Sequence, residues 1–293
     1  MLFTICFIRF RGLLAAVVFG GCLFFAPHAG CAADTASSSI AAAEAAFKKG
    51  DLPGALALAG RLIGGTNADY RACFLRGRVY ESMQQHEKAL ADYDAGIKLN
   101  PKSAVGYQFR GAQHFRLGHI KESIADFDKL IELLPAQAPH HWQRGISLYY
   151  AGRFEDGRRQ FEQHQSVNPN DVENAAWHFL CVARASGVEK ARAALIPIEG
   201  DPRVPMAQIH SLFAGKAKPE DVLTAARAGN PGGADAENQI FYAHLYLGLY
   251  YEAIGDARFA REHILKAATD FKAEHYMGDV ARVHARLLKQ AAK

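Results

Sequence analysis

Between Tyr70 and Asp171, apolar and small side chains recur at helical spacing. Phe74, Gly77 and Tyr80 form one such set, and Phe109, Ala112 and Phe115 form the next. Spacings of three and four residues place each set on one face of a helix, so the stretch predicts a series of amphipathic helices. The series is periodic, with a step of 34 residues. Arg-Gly recurs at Arg76-Gly77, Arg110-Gly111 and Arg144-Gly145, and the aromatics Tyr93, Phe127 and Phe161 and the prolines Pro101, Pro135 and Pro169 keep the same step. A fixed period in this range marks stacked supersecondary units. Gly77, Gly111 and Gly145 each cost about 1 kcal/mol against alanine inside a helix. That recurring cost implies close approach of a partner helix, with Ala89, Ser123 and Gly157 as the matching small residues. Gly118 and Gly152 fall where a left-handed residue would end the first helix of a pair, and the periodic prolines stop the second.

The pattern divides the chain. Residues 70–171 hold three clear units, and residues 34–69 read as a degenerate first one. There Ala41–Phe47 favours helix, Gly50-Asp51 lies at the turn, and Ala55 and Leu62 take packing positions; Ala36–Ser39 reads as a flexible tether. Residues 172–233 start like a further unit at Trp177, Leu180 and Val182, with Val188–Ile196 as a partner helix, and are then broken by Pro197, Pro202 and Pro205. Two short helices, near Met206–Ala214 and Pro219–Ala228, and a linker at Asn230–Gly233 complete this middle. Residues 234–293 restore one full unit, with Gly248, Ala260 and Ala267 at packing positions. They end in an amphipathic helix, Phe271–Gln290, with Met277, Val280, Val283 and Leu287 on its apolar face; a terminal helix of this kind covers the exposed end of a stack.

Residues 1–33 are set apart. Arg9 and Arg11 precede an apolar run, Leu13–Ala26, and small residues follow at Gly30–Ala33, the layout of a secretory signal or, if uncleaved, a membrane anchor. Two maturation routes are open. Gly30-Cys31 is similar to the end of a bacterial lipobox, making Cys31 the lipidation candidate, although His28 stands where that pattern wants an aliphatic residue. The other route is cleavage after Ala32 or Ala33. Outside this leader only Cys73 and Cys181 remain, too few and too far apart for a disulfide framework. Removing Arg9 and Arg11 from the 34 basic residues leaves 32 against 30 acidic ones, too small an excess for a nucleic-acid footprint.

Signals of catalysis or metal binding are absent from the sequence. None of the 13 histidines falls into a spacing that makes a ligand set with a cysteine or carboxylate. His140-His141 reads as a helix start or surface pair, since adjacent helical residues point apart. No nucleophile elbow or phosphate-cradling loop occurs. Asp92 and Asp94 recur as Asp126 and Asp128, so these carboxylates belong to the scaffold, where Arg76 and Arg110 would pair with them; Arg144 meets Gln160 at the equivalent position. No enzyme, cofactor or metal is expected.

Arg144-Gly145-Ile146, Leu148-Tyr149-Tyr150 and Asn168-Pro169-Asn170-Asp171 resemble the tetratricopeptide repeat, as does Tyr246–Tyr251 with Gly255-Asp256. The fold this implies is all-α, a helical-hairpin superhelix (an α-solenoid) with a C-terminal capping helix. The order of parts is similar to that of the NlpI-type lipoproteins of bacterial envelopes. In tetratricopeptide stacks the first helices line a concave groove, which in this register assigns Arg71, Phe74, Arg78, Gln108, Phe115, Trp142, Ile146 and Tyr149 to partner binding. The resemblance implies a non-catalytic adaptor that binds a peptide or helix with some negative charge. It would be periplasmic or tethered to the outer membrane of a Gram-negative-type bacterium, touching membrane only through its leader or lipid, and would recruit peptidoglycan hydrolases or a protease. The alternatives are a self-associating assembly module, including a homodimer, with the groove filled by the terminal helix or a second copy, and an accessory subunit of a secretion machine.

Overall fold

A computed structural model of the chain describes residues 31–64, 68–228 and 233–291. Among them there are fifteen α-helices, one short 3-10 helix and no strand. Seven hairpins follow in chain order: α1 (Cys31–Lys48) with α2 (Leu52–Ile63), α3 (Tyr70–Ser82) with α4 (His86–Leu99), α5 (Ala104–Leu117) with α6 (Ile120–Leu133), and α7 (Trp142–Tyr150) with α8 (Phe154–Gln165). The series continues with α9 (Val172–Ser186) and α10 (Val188–Ala193), α11 (Met206–Phe213) and α12 (Pro219–Arg227), and α13 (Ala234–Ala253) and α14 (Ala257–Thr269); α15 (Tyr276–Ala291) comes last. Asp51, Asp69, Asp171 and Asp256 start α2, α3, α9 and α14 by accepting a backbone N–H of the first turn. Gly118 and Gly152 are left-handed at the turns, and in the first clear unit Gln84 takes that conformation instead.

The helical glycines are explained by what lies over them. A Cβ on Gly77 would come within 2.4 Å of the Tyr93 ring; on Gly111 or Gly145 it would come within 2.7 Å of Phe127 or Phe161. The periodic aromatic of each second helix therefore lies on the periodic glycine of the first. Ions keep the same register. Arg76 donates to Asp92, and Arg110 donates both to Asp126 of its own hairpin and to Asp94 of the preceding one. Arg144 donates to Gln160 and also finds an acid, Asp128, one hairpin back.

Local departures have local causes. α1 opens at Cys31, so Ala36–Ser39 is helical rather than a tether. Residues 1–30 of the leader, and with them the signal features, lie outside the described residues, as do residues 229–232 of the linker. Pro135 and Pro139 hold Pro135–His140 in a 3-10 segment before α7. This turns His141 inward, where it is buried, packs at a tilt against Phe127 at 4.5 Å and starts α7. The partner of α9 is shorter than Val188–Ile196, and α15 begins after a non-helical Phe271–His275. Cys73 and Cys181 are buried and free.

Packing does not stop at the irregular middle. One hydrophobic core joins Phe115, Ile146 and Phe161 to Trp177, Phe213, Phe241, Tyr246 and Val283. The stack curls far enough for α13 to touch α9, and for α15, which covers α14, to meet α5. Among the described residues no helix is long and apolar enough to cross a membrane.

Candidate partner-binding groove

The residues assigned to the groove stand on the first helices α3, α5 and α7, and α15 packs over part of this set, which divides it into two sectors. In the covered sector the Tyr276 ring lies 5.2 Å from Phe115, nearly parallel, and 5.1 Å from Trp142, edge-on. Phe115, Ile146 and Tyr149 are buried, and Trp142 is half-buried. Tyr149 packs on Phe154 of its own hairpin and on Trp177 of the next, which is ordinary contact within the stack.

Polar contacts hold α15 in place. Asp279 accepts from Arg116 Nε at 2.6 Å, and Glu81 of α3 lies 2.8 Å from the same guanidinium. Burial alone would lower the Arg116 pKa; the two carboxylates outweigh it and the net shift is upward. Arg286 donates to the carbonyls of Arg116 and Leu117, the free acceptors at the end of α5, where a cation is favoured. His284 lies 2.9 Å from the Tyr150 hydroxyl and 3.4 Å from Glu252. Burial pushes its pKa down, with Glu252 opposing.

The other sector, formed by α1, α3 and the start of α5, is exposed among the described residues. Arg71 is exposed and held by Asp69. Arg78 is exposed too, with its guanidinium 4.9 Å above the Phe47 ring and 5.7 Å from Phe109. Among the described residues no carboxylate pairs with Arg78. Val105 is 50% exposed at the rim. Phe74 does not face solvent: at 4% exposure it packs on Tyr70 and Phe109, over Gly96 and Gly106, and binds hairpin to hairpin. Gln108 is half-buried, donating to Gln143 and accepting from His141 Nε2 in the tautomer that protonates that nitrogen.

Elsewhere, ionisable clusters serve packing. Arg203 draws Asp171, Glu173 and Asp201 together, and His244 and His263 share a hydrogen bond between α13 and α14. No group of three or more histidine, cysteine, aspartate or glutamate side chains suited to a metal ion occurs among the described residues. Arg116, Tyr276, Asp279 and Arg286 escaped the sequence reading. The available signal was Arg116 itself, a charge at the register position occupied by Ser82 and Tyr150 in the adjacent units.

The hairpin geometry and the glycine–aromatic register define a tetratricopeptide-type superhelix. Residues 70–103 match the family described as tetratricopeptide repeat. The fold is similar to that of a tetratricopeptide repeat protein from Parabacteroides merdae ATCC 43184, with 16% identity, 89% of this chain and 100% of that one covered, and a TM-score of 0.56. It is also similar to the MamA protein, with 14% identity, 69% of this chain and 99% of that one covered, and a TM-score of 0.51. No curated protein matches the sequence. Residues 70–103 thus carry a tetratricopeptide repeat, and the chain has the fold of tetratricopeptide-repeat proteins.

Proposed function

We propose that the protein is a non-catalytic adaptor of the bacterial envelope, binding an acidic peptide segment in the exposed sector of its groove. Arg78 carries this reading. It is an exposed cation set against two aromatic rings, with no carboxylate partner among the described residues. A guanidinium fixed in this way loses little freedom when it takes a carboxylate through two hydrogen bonds. The half-buried rings of Phe47 and Phe109, and exposed Val105 one turn before Phe109 on α5, add apolar surface. The leader, with Arg9, Arg11 and the Leu13–Ala26 run, supports export. The similarity in layout to NlpI-type lipoproteins makes peptidoglycan hydrolases and proteases the first clients to seek.

The test is affinity capture from envelope extract with residues 34–293, beside Arg78→Ala and Arg78→Glu variants shown by circular dichroism to be folded. Acidic-segment proteins recovered by the parent and lost with both variants support the reading. Equal recovery by all three overturns it. A second reading, self-association, is favoured by the occupation of the other sector by α15; sedimentation of the same preparations distinguishes it.

A further inference from the structure

We propose that the aromatic sector of the groove is a helix-docking site kept shut in cis by α15. In trans it accepts an amphipathic helix carrying an aromatic residue and, one turn later, an acid. The inference concerns a different sector from the Arg78 site, extends the adaptor reading, and fails separately from it.

The seat and its occupant are complementary in detail. Tyr276 fills the angle between Phe115 and Trp142. Three residues on, Asp279 reaches Arg116, and Val280 and Val283 are buried along the same side of the helix. Further along, Arg286 covers the carbonyls that end α5. Aromatic, acid and base are thus read in a fixed order along one helix, the usual logic of a helix laid in a groove.

The seat does not depend on α15 for its shape. Phe115 and Trp142 stand on α5 and α7, and each of those helices is fixed by its own hairpin, with Phe127 on Gly111 and Phe161 on Gly145. Arg116 is also steadied from the other side, by Glu81 and by the side-chain oxygen of Gln113. If α15 leaves, the cation stays in position and a ready-made apolar cleft is exposed. The occupant, in contrast, follows a non-helical Phe271–His275 and packs on α14, so that its release from the seat uncovers α14 as well. Displacing it forfeits every contact above, so only a helix that restores the aromatic and the acid can compete. The filled site lowers apparent affinity for any trans helix by the fraction of time that it is open.

The experiment uses the full chain and a fluorescein-labelled peptide of residues 274–291 as the trans helix. The parent is compared with a Tyr276→Ala/Asp279→Ala variant, in which the cis helix has lost its two anchors. The variant is expected to bind the peptide at least about tenfold more tightly than the parent. Adding Trp142→Ala to it should remove that binding, whereas adding Arg78→Ala should leave it unchanged. Equal binding by parent and variant, or none by a variant with parental circular dichroism, overturns the proposal. Should the double variant fail to fold, Asp279→Asn alone is read by hydrogen exchange. Loss of protection over 276–291 ahead of α13 and α14 supports a releasable helix; protection lost together with the rest of the fold refutes it.

Discussion

Tyr276 stacks on Phe115 with ring centroids 5.2 Å apart and planes 21° from parallel, joining the last helix to the second clear repeat. Phe115 lies within the core and Tyr276 is half-buried against it, so truncating either loses packing. Tyr276→Ala and Phe115→Ala are each expected to cost about 3 kcal/mol. Because the rings touch, their effects should not add: a double-mutant cycle by urea denaturation should return a coupling of about 1 kcal/mol. A coupling of zero would mean that the contact is not formed in solution.

Gly111→Ala sets helix propensity against packing. Alanine is favoured by about 1 kcal/mol in a helix. Its Cβ would lie 2.7 Å from Phe127, a ring that is fully buried and has nowhere to move. Overpacking of this kind costs about 1–3 kcal/mol, so the net effect should be destabilising. Gln84→Gly should act in the opposite direction. Gln84 is exposed, with φ at 58°, in the position that Gly118 and Gly152 occupy in the following units. Relieving that strain should stabilise the protein by about 1 kcal/mol. A pair of thermal melts reads both signs.

Arg110 and Arg144 occupy the same place in adjacent repeats but differ in what they leave behind. Asp126 is 5% exposed, and Arg110→Ala would strand its charge, at an expected cost of about 3 kcal/mol. Arg144→Ala strands nothing comparable. The Asp128 side chain is 47% exposed, and Gln160 keeps a bond to the carbonyl of Ala138. About 1 kcal/mol or less is expected there. Denaturant midpoints give the comparison, and replacing Arg110 and Asp126 together by leucine should recover most of the larger loss.

The repeats were legible because each unit states its packing locally: a glycine and the aromatic that covers it, an arginine and its acid, both at constant separations. Two short helices of the middle, Met206–Phe213 and Pro219–Arg227, were legible from the prolines around them. The groove was legible only as a register. That register marked Arg71 and Arg78, which are exposed, together with Phe115, Ile146 and Tyr149, which are not. For Tyr149 the difference lies in Trp177 and Phe154, and for Phe115 it lies in α15. Its amphipathic pattern announces a helix that needs a partner, but the partner is set by how far the stack curls between Val172 and Thr269. Curl accumulates from small crossing angles between irregular helices, and no spacing in the sequence encodes it directly. His141 does start α7, as its position in the sequence suggested, but it is buried rather than on the surface, because the prolines of the preceding 3-10 segment turn it inward.

Glu173 gives the fold a pH dependence whose sign can be stated. Burial raises its pKa, Asp171 adds to the rise, and Arg203 opposes it; the result is pushed up to about 7. Arg203 serves three carboxylates, so one cation does not hold all of them ionised at little cost. A carboxyl with a folded pKa above its unfolded one binds its proton more tightly in the folded state. The stability it contributes is full below the unfolded value near 4.5 and is lost as pH rises through about 7. Glu173→Gln keeps a side-chain oxygen to accept from the Tyr246 hydroxyl, which now donates to Glu173, and removes the titration. Between pH 5 and pH 8.5 the parent should therefore lose on the order of 2 kcal/mol relative to the variant. Melting both proteins at the two pH values measures it. A parallel fall in both would place the alkaline sensitivity elsewhere in the molecule.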